Sequence, residues 1–155
     1  SQDAYRQGFS NVQWPGRMEV INHNPTILLD SAHNRYSALR LRQSLDDYFP
    51  GLPVIMVFGA SEDKDIEGMF QELLPRVRRV ITTQSIHPRA IEAEELEELA
   101  HRFGRSALAV KPVEDALELA LQEAGQEAVI LVTGSIFVVA AVKEIFSEKQ
   151  NITAQ

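Results

Sequence analysis

At 155 residues, 45% hydrophobic and 24% charged, the chain has the length and composition of one soluble globular domain with a sizeable core. Its net charge of -7 opposes broad binding to nucleic acid or anionic lipid, both of which need a basic face, so neither nucleic acid nor membrane is expected as a partner. Zero cysteines exclude disulfides and thiolate chemistry, no apolar run reaches the ~18 to 20 residues of a membrane span, and "SQDAYRQGFS" lacks the basic-then-apolar pattern of a leader, so a cytoplasmic setting is expected.

Residues 1–16 do not fit the pattern of the rest of the chain: Pro15 and Gly16 punctuate "NVQWPGR", and the stretch reads as the end of a preceding segment plus a linker. Residues 18–22 (MEVIN) alternate apolar and polar, as an antiparallel edge strand does. From there short apolar runs alternate with amphipathic stretches. The runs are 26–30 (TILLD), 54–58 (VIMVF), 79–83 (RVITT), 107–110 (ALAV) and 128–133 (AVILVT), several continuously apolar as in strands covered on both faces. The stripes between them are Ala38, Leu41, Leu45, Tyr48 and Phe49, then Ile66, Met69, Phe70, Leu73 and Leu74, then Leu96, Leu99, Ala100 and Phe103, then Val113, Ala116, Leu117, Ala120, Leu121 and Ala124. A last helix is expected over 135–148, largely buried through its apolar start, with 149–155 as a tail. The alternation implies a doubly wound α/β domain over 17–148, with about five to six strands, mostly parallel, and right-handed crossovers.

In such a sheet ligands bind beyond the carboxyl ends of the strands, which selects "DSAHNR", "GASEDKD", "QSIHPRA", "KPVED" and "TGS" before any motif is considered. Asp30 can meet a ribose hydroxyl or a magnesium-bound water, and His33 a phosphate or carboxylate; equally, Ser31 or Asn34 can cap the next helix while Asp30 bonds nearby amides. "GASEDKD" offers Gly59 for a tight turn, Lys64 as a cation, and Asp63 and Asp65 as cap or ligand carboxylates, but neither GxGxxG nor GxxxxGK[ST]. Ser135 after Gly134 stands where a helix start can hold an anion or where a hydroxyl simply caps it. His23, His33, His87 and His101 form no close ligand pair, so no metal site is expected, and His101 in the acidic "EAEELEELA" helix is expected to face solvent.

The ordered set "WPGRMEV", "ILLDSAHNRYSA", "VFGASEDKD", "PRA" and "VTGSIFVVAAV" resembles the C-terminal domain of folylpolyglutamate synthase and dihydrofolate synthase, in the Mur ligase superfamily, over nearly the whole chain from Trp14 to Phe146. The resemblance implies a Rossmann-like domain that closes over a central P-loop ATPase domain, to which residues 1–16 would be the end and link. It implies ATP-dependent amide formation: a folate carboxylate becomes an acyl phosphate, and the amino group of L-glutamate attacks it. By position, Arg17 matches the linker arginine that reaches nucleotide phosphates. Asp30 and His33 match the D-G-A-H-N-P loop that meets ATP and the reacting groups, and His33 is the residue implied in catalysis. Lys64 and Ser135 are the residues implied in holding the incoming amino acid. ATP and Mg2+ would be bound mainly by the central domain, the isolated domain would be inactive, and a monomer is expected. Ser31 stands where the motif has glycine and Arg35 where it has proline. Another Mur-type amide ligase, or a non-catalytic nucleotide-binding module on the same fold, are the alternatives.

Overall fold

Three continuously apolar runs set the middle of the sheet. In the computed structural model, which describes residues 17–154, β2 (Thr26–Leu29), β3 (Val54–Phe58) and β6 (Val129–Thr133) are buried at every position. Together with β1 (Glu19–His23), β4 (Arg79–Thr82) and β5 (Ala107–Ala109) they form one sheet in the order β1-β2-β6-β3-β4-β5. All neighbours are parallel except β1, which pairs antiparallel with β2 at the edge, as the alternation in MEVIN implies. The expectation for residues 1–16 lies outside the described residues.

Period-2 alternation divides the strand side chains between two cores. Leu28, Met56, Val80 and Leu131 face α1 (Arg35–Tyr48), α2 (Ile66–Leu73) and α3 (Ala93–Arg102), against Leu41, Leu45, Met69, Phe70 and Leu96. Ile27, Ile55, Ile81 and Ile130 face α4 (Val113–Ala124) and α5 (Ile136–Thr153), against Leu117, Ala120, Val138 and Val142. This is the doubly wound α/β arrangement, and each stripe of the sequence supplies the buried side of its helix.

The last helix departs from expectation at both ends. It runs on to Thr153 rather than stopping at residue 148, because Glu148, Lys149 and Gln150 are good helix formers that need no buried face to continue it. Its apolar start is not buried throughout: Val138, Val139 and Val142 are, but Ile136 is 65% and Phe137 48% exposed. Those two side chains stand at the rim of the sheet's carboxyl edge, which is where the cavities lie. Strand ends differ by one residue: β2 stops before Asp30, β4 before Thr83, β5 before Val110, and β6 begins after Ala128.

Connectivity places the crevice. β6 lies between β2 and β3; these two send the chain to α1 and α2 on one face, whereas β6 sends it to α5 on the other. Loops leaving neighbouring strands in opposite directions part at that point, opening the gap in which doubly wound sheets bind ligands.

Candidate active site

Backbone hydrogen bonds hold three loops at this edge, those after β2, β3 and β4. The Asp30 N–H donates to the Val132 carbonyl at 3.0 Å, the Gly59 N–H to Thr133 at 3.4 Å and the Thr83 N–H to Phe58 at 2.9 Å, so each loop is tied to the neighbouring strand. The loops after β3 and β4 also fasten to each other. Glu62 donates to the Arg89 carbonyl at 3.0 Å, Ile91 to Ala60 at 2.9 Å, and Ser61 and Ala90 form an antiparallel bridge. Side chains on these loops therefore sit on a braced frame rather than on free turns.

Two cavities open there and share a wall. One, of about 480 Å³, is lined by Arg17, Asp30, His33, Asn34, Tyr36 and Arg40 among others. The second, of about 310 Å³, is lined by Ser61, Asp63, Lys64, His87, Arg89 and Ser135 among others. Ser31 and His33 line both. The five residues singled out in the sequence thus all reach one edge, but in two groups: Arg17, Asp30 and His33 around the first cavity, Lys64 and Ser135 around the second, with His33 between. The fifth loop, "KPVED", does not reach these two; Pro112, Val113 and Glu114 line an apolar groove beside them instead.

In the first group the capping reading of "DSAHNR" is what the local hydrogen bonds show. Asn34 caps α1: its Oδ1 accepts the Ser37 N–H at 2.8 Å and the Ser37 hydroxyl oxygen accepts the Asn34 N–H at 3.1 Å, a reciprocal capping box. Asp30 accepts the Ala32 N–H at 2.8 Å on one oxygen and the Met18 N–H at 3.1 Å on the other. Met18 holds a left-handed φ of +48°, uncommon for a residue with a side chain, and its N–H turns onto Asp30 with Arg17 beside it. Arg35, in the place of the motif's proline, turns away from the cavities: its Nε pairs with Glu72 at 3.0 Å, and Arg42 meets the same carboxylate at 3.1 Å, joining α1 to α2. These two guanidinium groups hold the Glu72 carboxyl below the usual carboxylate range.

Burial pushes the Asp30 carboxyl above the usual carboxylate range, outweighing the Met18 and Ala32 amides and the nearby Arg17 and His33, which pull it down. A carboxyl that keeps its proton longer when folded makes stability fall as pH rises from the unfolded carboxylate range through the raised folded value. In urea unfolding, the stability of the wild type minus that of Asp30→Asn should therefore decrease over that interval. Groups common to both proteins cancel, and a difference that is flat or rises with pH would rule the assignment out.

In the second group, Asp65 caps α2 through the Gly68 N–H at 3.0 Å, which leaves Asp63 and Lys64 to the cavity. The Ser61 hydroxyl, donating to Asp63 at 2.6 Å, holds that carboxyl below its usual range, helped by its own backbone and by Lys64 and Arg89. Lys64 Nζ lies 3.9 Å from Asp63, an ion pair too long for a committed hydrogen bond. Ser135 is buried at the α5 N-terminus, where its hydroxyl accepts the Phe137 N–H at 3.1 Å. It caps the helix and lines the cavity at once. His101 is exposed as expected, although a ring nitrogen meets the Ala107 carbonyl at 3.0 Å.

His87 and Arg89 also belong to this cavity, and residue-by-residue reading of the sequence misses them even though it selects "QSIHPRA" as a carboxyl-end loop. The position rule carries the signal, once it is applied to the side chains of the loop as well as to the loop itself. Among the described residues no three His, Asp or Glu side chains converge as metal ligands.

The family model for the Mur ligase, glutamate ligase domain, matches residues 16–136. The dihydrofolate synthase/folylpolyglutamate synthase of Mycobacterium tuberculosis is 31% identical over 159 aligned residues, which take in 93% of this chain and 33% of that protein. Escherichia coli FolC, solved in complex with DHPP and ADP, superposes with a TM-score of 0.83 at 29% identity over 97% of this chain and 35% of its own. The bifunctional folylpolyglutamate synthase/dihydrofolate synthase solved with Mn, AMPPNP and L-glutamate bound superposes with a TM-score of 0.77 at 33% identity over 95% of this chain and 35% of its own, and a bifunctional folylpolyglutamate synthase/dihydrofolate synthase from Yersinia pestis superposes with a TM-score of 0.78 at 33% identity over 95% of this chain and 34% of its own. The chain thus spans about a third of the length of these relatives. A sheet edge built from the D-x-A-H-N, DKD and TGS loops, a matching family model and relatives of one kind agree: the chain belongs to the Mur ligase family, as its glutamate ligase domain.

Proposed function

We propose that the chain is the amino-acid-side domain of an ATP-dependent carboxylate-amine ligase that adds L-glutamate to folate, as a folylpolyglutamate synthase with or without dihydrofolate synthase activity. One observation carries this: the cavity lined by Arg17 and Asp30 and the cavity lined by Lys64 and Ser135 meet at His33. A nucleotide in the first and an amino acid in the second would face each other across that residue, as acyl-phosphate chemistry requires.

In the reaction a folate carboxylate oxygen attacks the γ-phosphorus of ATP and ADP leaves. The glutamate nitrogen then attacks the acyl carbon, phosphate departs, and the nitrogen gives up a proton. Both steps spread negative charge over phosphoryl oxygens, so fixed cationic and N–H groups lower the barrier. Arg17 would neutralise nucleotide phosphates, and His33 would donate to the transferring group at the common wall. Lys64 and the N-terminal amides of α5 at Ser135 would hold a carboxylate of the incoming amino acid. Magnesium, when present with ATP, screens the phosphates; Asp30, whose oxygens already accept two amides, suits a metal-bound water better than direct ligation. The P-loop pattern occurs nowhere in these 155 residues, so the isolated domain is expected not to turn over.

Substituting His33→Ala in the full-length enzyme is expected to lower kcat for ATP-dependent glutamate addition by about 10²-fold, the usual scale for a lost transition-state donor. Because His33 is exposed, stability should be unaffected. Wild-type kinetics would sink the role. Assaying the same enzyme with folate, dihydropteroate and a muramyl acceptor separates the folate reading from another Mur-type ligase.

A further inference from the structure

His87 is held on three sides, and it lines both the cavity of Lys64 and Ser135 and the apolar groove beside it. Pro88 has no N–H, so the first amide available to the turn is that of Arg89, which donates to His87 Nδ1 at 3.1 Å. A backbone amide can only donate; Nδ1 is therefore the bare nitrogen, and a neutral ring carries its proton on Nε2. The ring stacks on Phe137 with centroids 4.4 Å apart and planes 22° from parallel, so the first turn of α5 fixes its orientation. Its backbone is pinned as well, with the His87 N–H reaching the Ser85 hydroxyl oxygen at 3.3 Å and the His87 carbonyl accepting from Ala90 at 3.0 Å. No hydrogen bond among the described residues uses Nε2, and the residue lines the cavity that contains Lys64 and Ser135. Arg89 lines it too. Its Nε meets Glu62 at 3.3 Å in a pair exposed on both sides, which is weak and leaves the remaining guanidinium donors for another carboxylate.

We infer that His87 Nε2–H and Arg89 read the side-chain carboxylate of the incoming amino acid, making the cavity selective for a dicarboxylic substrate. This rests on the proposal that Lys64 and Ser135 hold the other carboxylate. The cavity then has two anion-holding ends, one at Lys64 and the α5 start and the other on the β4 loop. A neutral side chain leaves the second end unpaired, and unpaired polar groups are the strongest basis for rejecting an analogue.

In the full-length ligase, His87→Ala should raise KM for L-glutamate about tenfold, the scale of a hydrogen bond to a charged group, with KM for ATP and folate unchanged. His87→Gln, which keeps a donor at similar reach, should restore most of it. L-Glutamine, tested as a competitor, has the same backbone carboxylate but no side-chain charge. Its inhibition constant should not move in His87→Ala, so discrimination between the two amino acids shrinks about tenfold. An unchanged KM for glutamate, or equal weakening of glutamate and glutamine, overturns the inference. Lys64→Ala should weaken both amino acids together, so failure there reports on the underlying proposal and failure at His87 on this inference alone.

Discussion

Replacing Lys64 by alanine in the full-length ligase is expected to raise KM for L-glutamate roughly 10- to 100-fold while leaving kcat within a few-fold, because a charge-assisted contact made equally in ground and transition states is lost. The lysine is suited to this for three reasons. It is partly buried, so its charge is less screened than a surface lysine's. Its neighbour Asp63 lies 3.9 Å away, too far to occupy it. The turn that presents it is closed by the Lys64 N–H donating to the Ser61 carbonyl at 3.2 Å and by the Asp65 cap, so its backbone does not depend on the side chain. Lys64→Arg should recover part of the affinity, since charge is retained but the planar fork is larger and differently shaped. Steady-state kinetics with glutamate varied at saturating ATP and folate decides it. An unchanged KM for glutamate would place the amino acid elsewhere, and a proportional rise in KM for ATP would make Lys64 a nucleotide residue.

The sheet was legible where burial is total. TILL, VIMVF and VILVT are almost continuously apolar and buried at every position because helices cover both of their faces. Ends were less legible: Asp30, Thr83 and Val110 lie one residue beyond their strands although each still donates its N–H to the neighbouring strand, at 3.0, 2.9 and 2.8 Å, and propensity does not register where pairing stops. The exposed start of α5 was not legible at all. Ile136 and Phe137 read as core by composition, yet they stand at the rim of the crevice, a fact of topology rather than of periodicity. At the site the strand-end rule finds the loops, and residue type their contents. What no local pattern shows is which acceptors are already used. Asp30 gives both oxygens to amides twelve residues back and two ahead, Arg35 goes to Glu72 on the next helix, and the bare nitrogen of His87 is set by an amide two residues on. Those partnerships decide the chemistry each side chain has left to offer, and they exist only after the chain is folded.

Gly134 links fold and site, and Gly134→Ala is expected to cost about 2 to 5 kcal/mol, combining backbone strain with overpacking. Its φ of +104° lies where side chains are rarely found, and a Cβ built there runs into the Gly59 carbonyl oxygen and comes within 2.7 Å of the Phe58 ring. Neither neighbour can yield. Gly59 is itself confined, since a Cβ on it would meet Val138 at 2.8 Å and the Thr83 carbonyl at 2.9 Å, and Phe58 is fully buried against Phe70 with ring centroids 4.9 Å apart. The closeness of the β3 and β6 loops is what brings Lys64 and Ser135 to one cavity, so relief of the clash by spreading the loops would also separate them. Gly51 offers the comparison: its φ is +74°, but nothing lies within 4 Å of an added Cβ, so alanine there should cost only the ~1 to 2 kcal/mol of a left-handed backbone. Urea unfolding of both variants separates the two contributions. Equal losses at the two positions would mean that the loops move apart freely, and the braced crevice, with the placement of substrate groups that depends on it, would have to be given up.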